Sequence, residues 1–401
     1  MFRKELGLAV IILGLLACEL QADVTNSKWV GGSQGAWSDA SNWTPAIIPD
    51  NTSWRTFVVT IDSNSIGADR IVVGLEHDRT IDQIDCYGEV SLACRVQDWL
   101  ELTLADPNGL TNHGQMEIPD WNLGITGNVT NEVGAKLNLH PRSLDIRGLL
   151  INKTNATIVT LNSTWVERNN LENAGTIIVR TSRSILGVVG SFFNTGSIQL
   201  FGGGSGSIHL FDNDANGVIA GFGILFSEEL IENRGAIYAY GGSLAVSSEG
   251  PLLNSGVLGN YPLSSLHIKP AKDVNNLGTI EVNAGGGVTF DCNLINEPDA
   301  AIKLLGGTLA AATITQSANA TFEGFGGITG DVIIEPDGII KLTGPTNIVG
   351  NVTIEHNAVL EISDGQTLIT GHTTNNGDIR VVNGDVIFQG GYSGSGVVQK
   401  D

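Results

Sequence analysis

Apolar and polar residues alternate in short runs along most of this chain, and the runs return at a fixed spacing. The segment NAGTIIV, Asn173 to Val179, comes back as NTGSIQL from Asn194, NRGAIYA from Asn233, NSGVLGN from Asn254 and NLGTIEV from Asn276. Further copies are NHGQMEI from Asn112, DAAIKL from Asp299, DGIIKL from Asp337, NAVLEI from Asn357 and NNGDIRV from Asn375. In nearly every copy a small residue is followed two and four positions later by apolar residues, such as Ile177 and Val179 or Ile280 and Val282. The residue between them is often charged: Glu281, Lys303, Lys341, Glu361, Arg380. Period-two alternation entered through a turn residue predicts a short half-buried strand.

The small positions run from Gly114 through Gly134, Ala156, Gly175 and onward to Gly377, at a mean step of about 20 residues. No amphipathic helix of ten or more residues interrupts them. Short strands at one period and in one register predict an all-β chain, a right-handed parallel β-helix of about 14–16 coils with roughly 20 residues per coil. Asparagine recurs two residues before the small position, at Asn112, Asn173, Asn194, Asn233, Asn254, Asn276 and Asn375. Stacked coils would bring those amides into a ladder at a turn.

The pattern divides the chain into 1–22, 23–62, 63–395 and 396–401. Arg3 and Lys4 precede an apolar run from Leu6 to Ala17, the form of an export signal and too short to span a bilayer. Two processing sites compete. Cleavage after Ala22 would release a free chain, whereas Leu15-Leu16-Ala17-Cys18 has the form of a lipobox, which would lipidate Cys18 and tether the protein to an outer membrane. Either way the expected address is extracellular or cell-surface, and no later apolar run approaches the ~18 residues of a membrane helix. Residues 23–62 hold Trp29, Trp37, Trp43 and Trp54, four of the seven tryptophans, and read as a cap over the first coil. The C-terminal GGYSGSGVVQKD offers no comparable lid.

Composition narrows the function classes. A net charge of -21 on 401 residues repels phosphates, so nucleic acid is excluded as a partner. Four cysteines are too few for a disulfide scaffold. Export permits one local bridge, Cys86 with Cys94, and the competing reading is that Cys86, Cys94 and Cys292 are small buried apolar groups.

The coil motif resembles the repeats of filamentous-haemagglutinin and autotransporter-type passengers of bacterial surface proteins. The opening Lys28 to Asn51, with its Gly-x-Trp-Ser-x-x-x-Asn-Trp segment from Gly35 to Trp43, resembles the tryptophan-rich start of exported autotransporter-like repeat proteins. The resemblance implies an exported, acidic, non-catalytic surface or extracellular structural protein of adhesion type, meeting polysaccharide or matrix components along its faces. The chain departs from it in lacking a C-terminal translocator barrel, which leaves open a fragment or paralogue of a larger passenger.

β-Helices also carry polysaccharide lyases and hydrolases, so a polysaccharide-active enzyme is the alternative expectation. Asp212 and Asp214 would share one strand face, with Glu228 and Glu229 about a coil later, as an acid/base pair or as acidic decoration of a solvated turn. DNDANG, Asp212 to Gly217, also matches the start of a calcium loop, but its twelfth position is Gly223 rather than Glu. Calcium is the one cofactor the letters allow. No metal spacing is present among the scattered histidines, and no other cofactor is expected. The tryptophans offer a last pair of readings: a platform on which sugar rings stack, or an aromatic seal over the first coil.

Overall fold

The computed structural model describes residues 22–95, 99–119, 122–140, 143–166, 170–181 and 185–401. Cys18 and residues 1–21 of the expected export signal lie outside these. The chain winds as a parallel β-solenoid of about 15 turns with ~21 residues per turn. Strands stacked at about 4.8 Å per rung give a body about 70 Å long.

Each coil is three-sided. Sheet A collects the strands that follow the small residue, among them Gln115–Ile118, Lys136–Leu139, Thr157–Thr160 and Thr176–Val179. Sheet B holds Asn122–Thr126, Ser143–Arg147 and Ser163–Val166. Sheet C holds Leu110–Asn112, Val129–Asn131, Leu150–Asn152 and Leu171–Asn173. These strands pair in parallel with their equivalents one coil away, in register. Beyond residue 185 several strands run unbroken around the corners, as in Ser197–Asn213 and Ala301–Gln316.

In-register stacking places like upon like in the interior. Ile177, Ile198, Ile219, Ile237, Leu258 and Ile280 are successive rungs of sheet A, all buried. One continuous apolar cluster runs from Trp29 to Val381. Each such side chain contributes about 1.5–3 kcal/mol by leaving water.

The corner between sheets C and A takes two forms, which accounts for the mixture of Gly and Ala at the small position. In the narrow form, as at Asn254-Ser255-Gly256, a Cβ on Gly256 would collide with the carbonyl of Gly235 beneath it. The wide form adds a residue in left-handed conformation and tolerates alanine: Asn155 (φ 61°) precedes Ala156, and Asp299 (φ 68°) precedes Ala300. This form corrects one register position. Gly134 (φ 76°) is the left-handed residue of a wide turn, and the small position of that coil is the buried Ala135.

The asparagine ladder forms and is longer than its sequence signature. Each Nδ2 donates to the Oδ1 of the next coil, from Asn112 through Asn131, Asn152, Asn173, Asn194 and Asn213, at 2.7–2.9 Å. It continues through Asn233, Asn254, Asn276 and Asn296 to the Oε1 of Gln316. The second amide hydrogen goes to a sheet A carbonyl of the following coil, as from Asn233 to Val257 at 3.0 Å. All these amides are buried, so the polar line is stabilising only because it is satisfied throughout. Ile334 and Ile354 take the next two rungs and end it. Asn375, expected within the ladder, stands apart and donates instead to the Tyr392 hydroxyl and the Val397 carbonyl.

Residues 23–62 and 396–401 both contribute strands to the stack. Asp23–Trp29 pairs in parallel with Arg55–Asp62, which pairs with Gln83–Tyr87, so the tryptophan-rich segment supplies the first rungs of the stack. At the other end Val397–Lys400 pairs with Asp378–Val381 as a strand of the last coil.

Candidate functional site

The acidic pair at 212–214 sits where sheet C meets the wide corner. Phe211 and Asn213 point inward, into core and ladder, which turns Asp212 outward. Register places Glu232 beside Asp212 one coil on. Arg234 closes the group: its Nη2 lies 2.7 Å from both carboxylate oxygens of Asp212 and 3.9 Å from Asp214, and its Nε lies 3.8 Å from Glu232. The hydrogen bond to Asp212 and the surrounding carboxylates hold the Arg234 guanidinium above its ordinary range. The structure thus brings Asp212 and Asp214 together around a cation. Glu228 and Glu229 occupy the bend between sheets B and C, between Ser227 and Leu230. There the Glu229 main-chain carbonyl accepts the Ser248 hydroxyl.

This arrangement suits an ion-pair clamp between coils. A proton-shuttling carboxyl needs access to a substrate proton, and both Asp212 oxygens are already engaged by Arg234. The calcium loop fits no better. Its first and third donors, Asp212 and Asp214, face a guanidinium, and Asp214 Oδ1 also accepts the Ala215 amide at 2.6 Å. Among the described residues no group of three His, Cys, Asp or Glu side chains could hold a metal.

Three of the four tryptophans of residues 23–62 are buried. Trp29 and Trp37 are 0% exposed and Trp43 1%, so these three offer no face to a sugar ring. Trp43 packs edge-on against both others, at centroid distances of 5.1 and 4.8 Å. Every indole N–H is satisfied by a main-chain carbonyl: Trp29 to Gly32, Trp37 to Pro49, Trp43 to Trp37. The motif residues support them, since Asn42 Nδ2 donates to Ala36 and fills the space above Gly35. Of these four, Trp54 is the exposed one, at 61%, with the Arg55 guanidinium 4.9 Å over its ring.

The disulfide allowed by sequence is not formed. Cys86 and Cys94 are buried free thiols on separate strands of the first coils, and Cys292 is half-buried and also free. Burial, with Asp85 adding to it, raises the Cys86 thiol far above its usual range, and burial pushes Cys94 up to about 11. The folded state therefore keeps both protons where an unfolded chain loses them, near pH 8.5. Their stabilising contribution is complete below about pH 8.5 and declines as pH rises above it. Urea midpoints are accordingly expected to fall between pH 8 and 10, less steeply in Cys86→Val. A thiol reagent at pH 8 should label Cys86 and Cys94 only in denaturant; rapid native labelling would contradict this burial.

Sequence reading passed over a mixed cluster on the first coils. Arg70 pairs with Glu117 and lies 4.0 Å from Glu89, and His140 Nδ1 lies 3.5 Å from Glu117. Beside it Tyr87 and His113 stack with centroids 4.4 Å apart, and His113 Nε2 is 3.7 Å from Asp85. These residues lie about one coil apart in sequence, so the period itself was the available signal. A second pattern is a charge ladder on the outer face of sheet A: Glu281, Lys303, Glu323, Lys341, Glu361 and Arg380 are successive register partners. Alternating signs one rung apart avoid like-charge contact and disfavour a one-coil slip.

No family model, curated protein or solved structure matches this chain. The geometry alone therefore supports a coarse statement: this is a β-helix repeat protein. Among the described residues no helix is long and apolar enough to cross a membrane.

Proposed function

We propose that this chain is an exported, non-catalytic structural rod of adhesion type, presenting its long faces to polysaccharide or matrix at the cell surface. The observation that carries the reading is the use made of Asp212: the most suggestive carboxylate in the sequence is clamped by Arg234 between coils. The ladder asparagines and the charges of sheet A are likewise explained by stacking. Export is supported by the Arg3/Lys4 and Leu6–Ala17 pattern, with Cys18 the residue that would carry a lipid tether. The resemblance of the coil motif to autotransporter and haemagglutinin passengers points the same way.

The test is incubation of the purified protein with acidic and neutral polysaccharides, with and without calcium, scoring new reducing ends and unsaturated uronates. The expected result is no cleavage of any polymer. Cleavage abolished by Asp212→Ala or Asp214→Ala would overturn the reading and establish the enzyme alternative.

A further inference from the structure

The sheet A face between residues 197 and 261 differs from the rest of the rod. At one corner position, four successive coils carry an aromatic residue: Phe201, Phe222, Tyr240 and Tyr261. Register establishes the alignment, with Phe201 opposite Phe222, Gly221 opposite Ala239, and Ala239 opposite Asn260. Phe201 is 41% exposed, Tyr240 54% and Tyr261 47%, whereas Trp29, Trp37 and Trp43 of the cap are fully covered. An aromatic row left open to water over several rungs is an unusual surface for an isolated protein, and such surfaces mark binding sites.

The row is braced. Tyr261 meets Tyr240 edge-on at 5.2 Å and Tyr238 at 5.4 Å. Tyr238 lies against Gly259, where an added Cβ would come within 2.9 Å of its ring, and its hydroxyl is 3.3 Å from Glu281 Oε2. Burial and Glu281 push the Tyr238 hydroxyl up to about 12, so it remains a donor at any ordinary pH. Between the rings lies a hollow of about 540 Å³, lined by Ser197, Gln199, Phe201, Val218, Tyr240 and Tyr261, among others. Ala220 and Gly221 also line it, and their small size keeps the surface between the rings low. Its size falls in the range of small-ligand sites, about 300–1,000 Å³.

We propose that this aromatic shelf binds a neutral glycan by stacking sugar rings on Phe201, Tyr240 and Tyr261. The chemistry of the lining selects the class. Flat rings match the apolar C–H faces of pyranoses, while Ser197, Gln199 and the tyrosine hydroxyls can exchange hydrogen bonds with sugar hydroxyls. Among the described residues no basic side chain lines the hollow, and a chain of net charge -21 repels an acidic polymer. Rungs repeat every ~4.8 Å, comparable to the rise per residue of an extended glycan, so neighbouring rings can meet neighbouring sugars. Bracing between the tyrosines fixes the platform before the ligand arrives, which limits the ordering cost of binding. The inference deepens the scaffold reading by naming the ligand of one face, and it holds separately from the question of cleavage.

The test is affinity electrophoresis and calorimetry of the full chain against soluble xyloglucan, galactomannan and mixed-linkage β-glucan, with polygalacturonate as the acidic control. Retention on at least one neutral polymer is expected, weakened tenfold or more in Tyr261→Ala and in Tyr240→Ala. Tyr261→Phe should retain most binding, and Trp54→Ala, at the exposed cap ring, should match the unaltered protein. Unchanged melting temperatures keep these variants interpretable; if Tyr261→Ala unfolds, Tyr240→Ala and Phe201→Ala carry the test. No retention on any neutral polymer, retention on polygalacturonate alone, or loss through Trp54→Ala and not through the shelf variants would overturn the proposal. Cleavage of a bound glycan would instead sink the scaffold reading and leave the shelf standing.

Discussion

Asn233→Leu is expected to destabilise the folded chain by about 3–6 kcal/mol, because three buried polar groups each lose a hydrogen bond, at about 1–2 kcal/mol apiece. Asn213 Nδ2 loses Asn233 Oδ1 and keeps only its main-chain acceptors Gly217 and Ala236, Asn254 Oδ1 loses its donor, and the Val257 carbonyl loses the Asn233 amide. The position, more than the residue type, sets the cost. At the ladder's end, Gln316→Leu strands only the Asn296 amide and the Ala320 carbonyl, and Asn296 keeps its bond to Thr321. Leucine at 316 would also sit beside Ile334, already apolar. The end variant should therefore lose about half as much as the mid-ladder one. Urea midpoints by circular dichroism decide this, and equal small losses at both sites would mean that the amides do not act as a connected line.

Trp37→Ala should cost about 3–5 kcal/mol, the usual range for removing a fully buried large aromatic. It removes the ring packed 4.8 Å from Trp43 and the donor to Pro49. The consequence extends beyond packing. The strand Asp23–Trp29 stacks on Arg55–Asp62, and the segment between them folds over the end of the core. Loosening that segment frees strand edges to pair with other chains. The variant is expected to melt earlier and to elute partly as aggregate on size-exclusion chromatography. Trp54→Ala, at a ring 61% exposed, should do neither. Similar behaviour of the two variants would mean that the tryptophans do not form a seal.

Much of the fold was legible because the coil is short and repeats itself. The strand that follows each small residue carries the clearest alternation, and sheet A follows it. Sheets B and C were harder to read: their strands are only three to five residues long between residues 100 and 173, and corners such as that in Ser197–Asn213 bend without a break in the strand. Gly134 misled because a left-handed turn position and a crowded inner corner both favour glycine. The ladder was seen only where Asn stands two residues before the small position, so wide corners hid Asn152, Asn213 and Asn296. Asn375 fits the same letters, but Ile354 on the preceding rung gives it no amide to meet.

The candidate site was less legible, because spacing along a strand reports facing and not partnership. Asp212 and Asp214 do share a side, yet what occupies them is Arg234, twenty residues further on and one coil away. Glu232 was likewise the true coil neighbour, where Glu228 and Glu229 had drawn attention by being adjacent. The aromatic row was invisible for the same reason. Phe201, Phe222, Tyr240 and Tyr261 are a row only after the coil register is known, whereas the tryptophans of residues 29–54 cluster in plain sight and are mostly buried.

The central claim is that the recurrent polar side chains of this protein are spent on holding coil to coil. It is tested most directly by hydrogen exchange of side-chain amides in a sample labelled with ¹⁵N at asparagine alone. The account predicts that the NH₂ pairs of Asn112 through Asn296 persist long after those of exposed asparagines have exchanged. It also predicts that Asn233→Leu shortens the lifetimes of its ladder neighbours Asn213 and Asn254 first. Ladder amides that exchange as fast as exposed ones would contradict it.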